Sequence, residues 1–337
     1  MRLAFIGISH WHQTLYIEPA LELPDVAIVG VSDPDARIAT SWAERLGCAG
    51  FEDFRDLCEA VRPDFVFALG KHSDMADEAR CLIDLGIPFA LEKPCGVSSA
   101  ELRDLVQRSA AKGAFAAVPF VFRNGELVRE LQETNRGDGF QNISFRFIAG
   151  FPSRYQQAGC DWMLLRETSG GGSTLNLSVH FFDLCRVLMG QDARVAAAVM
   201  SNAAWGHEIE DYSAVVLTTG QGLCTVETGY LFPAPTSAFD LHYSVRSRDK
   251  YYVIHDARTM EVFDNSGTSE MKQVSSTNVP HYRDFVHDVL DRVRQGREPL
   301  ASLADMLPVM ELAEQAYAIC HELTGQRFNR ASRGADG

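Results

Sequence analysis

Two short stretches bring together residue types that do proton and hydride chemistry. The first is Glu92-Lys93-Pro94-Cys95-Gly96, which follows the apolar run Phe89-Ala90-Leu91. Such a run reads as a buried strand, and Pro94 restricts Lys93 to extended backbone and turns the chain out of the sheet. At the carboxyl end of a parallel strand this turn aims an ammonium group into the crevice where α/β sheets bind ligands. Taken alone, the stretch reads equally well as a solvated turn. The second stretch is Asn176-Leu177-Ser178-Val179-His180-Phe181-Phe182-Asp183. On a helix, Asn176, His180 and Asp183 fall at i, i+4 and i+7 and share one face. The apolar residues around them mark that helix as buried, where each unpaired polar group would cost roughly 1–3 kcal/mol. A ligand crevice would supply partners and make His180 a general acid or base. A core histidine bonded to Asp183 satisfies the same pattern. Gly170-Gly171-Gly172, just ahead, lets backbone pass close to a ligand and also reads as a flexible loop. Arg123, Tyr155, Trp162 and Arg166 could clamp a polar substrate, with Trp162 stacking on a sugar-like ring. His281 and Tyr282 are further substrate candidates.

The elements that must position these residues fall into two halves. Leu3–Ile6 is a buried-type strand that runs into Gly7-Ile8-Ser9-His10-Trp11-His12 and a helix over 13–23. The cycle then repeats, with strands at 26–31, 64–69, 89–91 and 115–119. Helices are expected at 35–46, 53–62, 74–85 and 98–112. Strict strand–helix alternation with continuous apolar strands predicts a parallel, doubly wound sheet. After Phe120 the rhythm changes. A helix is expected from Arg123 to about Glu133, a turn at Gly137-Asp138-Gly139, then strands at 143–147, 195–200, 213–218, 223–230, 239–245, 251–255 and 259–263. Strands that follow one another without helices predict an open, mainly antiparallel sheet. Helices over 282–295 and 303–323 close the chain. The expected organisation is a Rossmann dinucleotide-binding domain over 1–120, an α+β substrate and oligomerisation domain over 121–330, and a disordered tail over 331–337. The C-terminal helices would pack back on the first domain.

Gly7 at the first strand–helix turn begins a glycine fingerprint whose second and third positions hold Ser9 and His12. The second position lets backbone approach a pyrophosphate, and the third allows helix and strand to pack closely. Asp33 ends the second strand at about the spacing of the acid that binds an adenosine ribose. Its carboxylate would repel a 2′-phosphate and favour NAD, although Arg37 nearby keeps NADP possible; Asp33 also suits a plain Asx turn before Pro34. His10 and His12 form an H-x-H pair, but only a strand would turn both to one side, and no nearby Cys or acidic residue completes a ligand set. No metal is expected. His10, Trp11 and His12 would line the cofactor and substrate mouth, or pack.

Composition excludes several classes. The 337 residues are 46% hydrophobic and 23% charged with a net charge of −14, an ordinary globular balance. The negative charge argues against nucleic acid or an anionic membrane surface as partner. No apolar stretch approaches a membrane span, and the N-terminus enters a strand at once, unlike a signal peptide. The eight cysteines show no C-x-x-C spacing and read as free thiols of a reducing cytoplasm.

With the Gly7 turn, Asp33, Glu92-Lys93-Pro94 and the stretch Ser169–Leu184 in this order, the chain resembles the Gfo/Idh/MocA oxidoreductase family over essentially its whole length. The resemblance implies NAD or NADP as cofactor, held by Gly7, Ser9, His10, Trp11, His12, Asp33, Gly70, Glu92 and Lys93. It implies Lys93 as a catalytic or substrate-orienting lysine beside the nicotinamide, His180 as acid/base, Asn176 in the catalytic set, and Arg123, Trp162, Asp183 and His180 toward substrate. It implies hydride transfer from a secondary alcohol of a sugar, a polyol or a similar small polar molecule. It also implies a homodimer or homotetramer paired through the second sheet. Three departures stand out. Asn176 replaces a common Asp, Ser178 replaces a Gly, and Leu69-Gly70-Lys71-His72-Ser73-Asp74-Met75 lacks the family's Thr, Pro and final His. They motivate a second reading, an NAD- or ligand-binding regulatory protein without chemistry. A third is an NAD-dependent glycoside-cleaving enzyme, which the family also contains.

Overall fold

The computed structural model describes residues 1–135, 139–233 and 239–330. The turn expected at Gly137-Asp138 and the tail over 331–337 lie outside the described residues. Six parallel strands form the first sheet: β1 (Arg2–Ile6), β2 (Ala27–Ser32), β3 (Ala49–Phe51), β4 (Phe65–Ala68), β5 (Phe89–Leu91) and β6 (Ala116–Ala117). Their order is β3-β2-β1-β4-β5-β6, so the chain reverses direction across the sheet between β1 and β4. That reversal opens a crevice at the carboxyl ends of β1, β2 and β4. Helices α1 (Gln13–Leu21), α2 (Ala36–Leu46), α3 (Phe54–Val61), α4 (Met75–Leu85) and α5 (Ser99–Lys112) make the crossovers. Alternate residues of β1 serve the two faces of the sheet: Leu3 and Phe5 enter one apolar core, Ala4 and Ile6 the other. The edge strand β3 went unread in the sequence, being three residues long and largely exposed.

The segment after Phe120 corrects one expectation. No helix starts at Arg123; a 3-10 turn spans Val121–Asn124 and α6 runs Glu126–Asn135. Gly125 separates them where His281 presses in, since a Cβ there would lie 2.7 Å from His281 Nε2. The second sheet has eight strands: β7 (Phe140–Gly150), β8 (Arg194–Ser201), β9 (Tyr212–Thr218), β10 (Leu223–Phe232), β11 (Phe239–Ser247), β12 (Lys250–Ile254), β13 (Thr259–Asp264) and β14 (Ser269–Gln273). Their order is β14-β13-β12-β11-β7-β10-β9-β8. Every pairing is antiparallel except β7 with β10. Between β7 and β8 the chain crosses one face through α7 (Ser153–Gln157), α8 (Arg166–Ser169), a π-helical turn at Thr174–Ser178 and α9 (Val179–Met189). Two closing helices tie the halves together. α10 (His281–Gln295) packs on α1, and α11 (Leu303–Thr324) packs on α5 and β8.

The triple glycine is required by close packing within the fold. A Cβ on Gly171 would stand 2.2 Å from the Tyr317 hydroxyl, and one on Gly172 would stand 2.0 Å from the Glu210 carbonyl oxygen. Glu210 is fully buried, and its carboxylate accepts from Gly172 N at 3.0 Å, Thr174 N at 2.8 Å and Tyr317 Oη at 2.8 Å. It thereby fixes the start of the π turn. Gly172→Ala therefore destabilises the protein by about 1–3 kcal/mol through overpacking against backbone that cannot yield, checked by denaturant unfolding. An unchanged midpoint would contradict this packing.

Candidate active site

Strand β5 runs out at Leu91, and Glu92 continues its ladder for one bond, its N–H donating to Ala68 O at 2.9 Å. Glu92 and Lys93 thus stand at the carboxyl edge of the sheet, between the two domains. Glu92 is 1% exposed and accepts from the Tyr16 hydroxyl and from Lys93 N at 3.0 Å. Its Oε2 lies 3.3 Å from His12 Nδ1. The oxygens of Glu92 are occupied in holding this turn, so the residue expected among the cofactor contacts acts as a brace for Lys93.

Lys93 is 3% exposed and crosses to the second domain. Its Nζ donates to Asn176 O at 2.9 Å and to Asn176 Oδ1 at 2.5 Å. Asn176 Nδ2 donates in turn to the hydroxyls of Tyr155 at 2.6 Å and Tyr230 at 3.0 Å. A neutral amide thus receives the ammonium, where an acid would have paired with it. Burial lowers the Lys93 pKa to about 8, with a further push from the Arg154 charge, while Glu92 pulls the other way.

His180 lies edge-on to the rings of Phe120 and Phe122. It is 4% exposed, and its Nδ1 has no hydrogen-bond partner among the described residues. Burial, then the Lys93 charge, holds its pKa well below 6.5, so the ring is neutral at physiological pH. The alternative of a histidine bonded to Asp183 does not hold. Asp183 takes a two-pronged bond from Arg123, Nη2 to Oδ1 at 2.6 Å and Nε to Oδ2 at 2.9 Å, and Arg123 also reaches Asp305 at 3.0 Å. Arg123 and Asp183, expected toward substrate, are thus engaged with each other. The i, i+4, i+7 row is divided because a π turn underlies Asn176: Asn176 meets the lysine, and Asp183 ends in an ion pair.

Of the cofactor candidates, Gly7, Ser9, His10, Asp33 and Gly70 line a cleft of about 520 Å³ together with Trp162, whereas Trp11, His12, Glu92 and Lys93 are not among its lining residues. Trp162, expected against the substrate, stands here between His10 and His72, at ring distances of 5.9 and 5.0 Å. Gly7 has a φ of 68°, and a Cβ on it would sit 2.6 Å from Gly70 N, so the two turns meet closely enough to exclude any side chain. Asp33 accepts from Ser9 N at 2.9 Å and from Asp35 N at 3.1 Å, which presents its carboxylate at the end of β2. Glu78 also faces the cleft, and burial raises its pKa to about 8. A carboxyl kept neutral in this way would not repel a phosphate bound in the cleft. The Gly7 turn, the Asp33 carboxylate at the end of β2 and the neutral Glu78 are compatible with a dinucleotide.

His12, at the third fingerprint position, turns away from the cleft. Its ring centroid is 3.7 Å from that of Trp11, and its Nδ1 is 3.2 Å from the Tyr282 hydroxyl on α10. Its backbone N donates to His10 Nδ1 at 3.1 Å. One expectation is corrected here. An acidic partner does join the H-x-H pair, because β5 delivers Glu92 from far along the chain, and ligand atoms of His10, His12 and Glu92 lie within 4.8 Å of one another. Hydrogen bonds to Tyr16, Lys93 N and His12 already account for Glu92. All eight cysteines are free.

Sequence reasoning missed Arg154, Tyr230 and Glu210. Tyr230, near the end of β10, and Glu210, in the loop before β9, reach the site from segments that no spacing links to Lys93 or His180. Arg154 adjoins Tyr155, which the sequence did single out.

The family model described as "Oxidoreductase family, NAD-binding Rossmann fold" matches residues 1–120, and that described as "Oxidoreductase family, C-terminal alpha/beta domain" matches residues 149–324. The rhizopine catabolism protein MocA of Rhizobium meliloti is 23% identical over 345 residues, covering 98% of this chain and 97% of its own. Two solved structures share the fold at a TM-score of 0.82. One is an oxidoreductase from Agrobacterium radiobacter in complex with NAD+, L-tartaric acid and magnesium, 17% identical, with 96% of this chain and 97% of that chain covered. The other is levoglucosan dehydrogenase with NADH and levoglucosan, 14% identical with the same coverage.

Glu78 makes the cleft's electrostatics measurable without any ligand. Its folded pKa of about 8 exceeds its ordinary 4.5, so its contribution to stability is full below the ordinary value and is lost as pH rises through about 8. Glu78→Gln removes that loss. Calorimetry should find the variant gaining on the wild type between pH 5 and pH 8, and parallel pH dependences would contradict a buried neutral acid.

Proposed function

The chain belongs to the Gfo/Idh/MocA family of NAD-binding oxidoreductases, and from that premise we propose that it oxidises a secondary alcohol of a sugar, polyol or similar polyhydroxylated substrate. The observation that carries the reading is the meeting of the Lys93 ammonium with Asn176, one helical turn from a neutral, unpartnered His180. The nicotinamide, when bound, supplies the hydride acceptor. His180 removes the hydroxyl proton as a general base, and burial keeps its ring unprotonated for that purpose. Lys93, protonated below about pH 8, donates to the same oxygen as negative charge develops. Asn176 orients the ammonium through its oxygens but holds no charge, so Lys93 stays near the pKa that burial sets. Levoglucosan and L-tartaric acid, the ligands of the two structural neighbours, support a polyhydroxylated substrate.

NAD is the preferred cofactor; Asp33 at the end of β2 and Arg37 drawn onto Asp35 at 2.7 Å support that choice. The protein acts in the cytoplasm as a homodimer or homotetramer through the outward face of the second sheet. The exposed Val199, Leu223 and Tyr251 support that pairing.

Lys93→Met and His180→Ala are each expected to lower kcat at least 1000-fold while NAD affinity stays within threefold. Initial rates at 340 nm over a panel of polyols and sugars, with NAD titration followed by protein fluorescence, make the check. Near-wild-type turnover in both variants would overturn the assignment. NAD binding without turnover of any substrate by the wild type would favour the regulatory reading. In the active enzyme, kcat/KM for oxidation should fall above about pH 8 as Lys93 loses its proton. Asn176→Asp, by placing a carboxylate on the ammonium, should move that limb to higher pH; an unmoved limb would assign it to another group.

A further inference from the structure

Arg154 lies on α7 in the same seam as Lys93, and the chemistry described so far gives it no task. It is 6% exposed. Its guanidinium carbon stands 5.4 Å from the Trp11 ring centre, 4.8 Å from that of Tyr155 and 5.3 Å from that of Tyr230. The three rings hold the planar group in place by cation–π contact. Only Nη2 has a protein acceptor, the Tyr155 hydroxyl at 2.8 Å, and Nε is buried without one among the described residues. No carboxylate among the described residues forms an ion pair with it, whereas the less buried Arg123 holds Asp183 and Asp305.

The connection to the reacting groups is short. Arg154 Nη2 donates to Tyr155 Oη, which accepts from Asn176 Nδ2, and Asn176 accepts from Lys93 Nζ. Two cations are therefore buried side by side with one acid, Glu92, and that acid is engaged with the turn beneath Lys93. An arginine left in such a place is costly unless an anion reaches it, and its planar fork matches a carboxylate.

We propose that the substrate carries a carboxylate, as a sugar acid or polyhydroxy acid does, and that Arg154 binds this group while Lys93 and His180 act on a hydroxyl. The proposal rests on the reading of Lys93 and His180 given above for the position of the reacting carbon. Nε–H and the second N–H of Nη2 lie on one edge of the guanidinium and suit one carboxylate; a phosphate would call for more donors than this edge offers.

Matched pairs test it by calorimetric titration in the presence of saturating NADH: D-gluconate against D-sorbitol, D-glucuronate against D-glucose, with D-glucose 6-phosphate as the other anion. At least one acid should bind ten times or more tighter than its neutral partner and tighter than the phosphate. Arg154→Met should bring that ratio down at least tenfold, and Arg154→Lys should retain part of it. Unchanged NADH affinity reports that each variant is folded. Neutral partners binding as tightly as the acids, a tighter phosphate, or an undiminished ratio in Arg154→Met would each overturn the proposal. Because binding is read apart from turnover, the two readings fail differently. Acid binding with no NADH formation contradicts the oxidoreductase mechanism alone, and turnover confined to neutral sugars contradicts the charge preference alone.

Discussion

Burying the Lys93 ammonium in the seam between two sheets is the constraint on which the site depends. A charge taken out of water must be hydrogen-bonded or it gives up its proton. Here the second domain supplies two amide oxygens from Asn176 and no negative charge. The result is an ammonium whose pKa sits at about 8, close to working pH. Such a group stabilises charge on a substrate oxygen strongly, since no protein anion already neutralises it. Glu92 is near enough to keep the proton on but faces the opposite way, toward Tyr16 and His12.

The same constraint explains how the fold accommodates a histidine where a glycine would pack best. The His12 ring fills the space among Trp11, Glu92 and Tyr282, and so becomes part of the floor on which the Glu92–Lys93 turn rests. α10 contributes Tyr282 from late in the chain, so this helix packs against the first strand–helix unit. The π turn at Thr174–Ser178 plays the matching part on the other side. Glu210 and Tyr317 anchor its start, and Asn176 then reaches Lys93 with both its backbone and side-chain oxygens.

The alternation of strands and helices, the place of Lys93 at a strand end and the burial of the His180 helix were legible because each depends on local pattern. What was not legible depends on contacts between distant segments. The Asn176–His180–Asp183 row looked continuous because helical spacing assumes an α-helix, and no residue type announces a π turn. Arg123 looked like a substrate clamp because its partner Asp183 is remote in sequence. The glycine run looked open to a ligand because the groups pressed against it, Tyr317 and Glu210, come from elsewhere. Arg154 gave no signal, since an arginine beside a tyrosine usually lies on a surface. Only three-dimensional packing reveals that it is buried without an acid.

The protonation of Lys93 is therefore the quantity to measure. NMR of the protein labelled with 13C at the lysine side chains, with the Lys93 resonance assigned by its loss in Lys93→Met, reads it directly. The account predicts that this one resonance titrates with a midpoint near 8 while surface lysines titrate near the ordinary 10.5. A midpoint at or above 10.5 would contradict it, since it would mean that the ammonium is solvated or paired with an acid and is not the buried, unneutralised charge on which the mechanism rests.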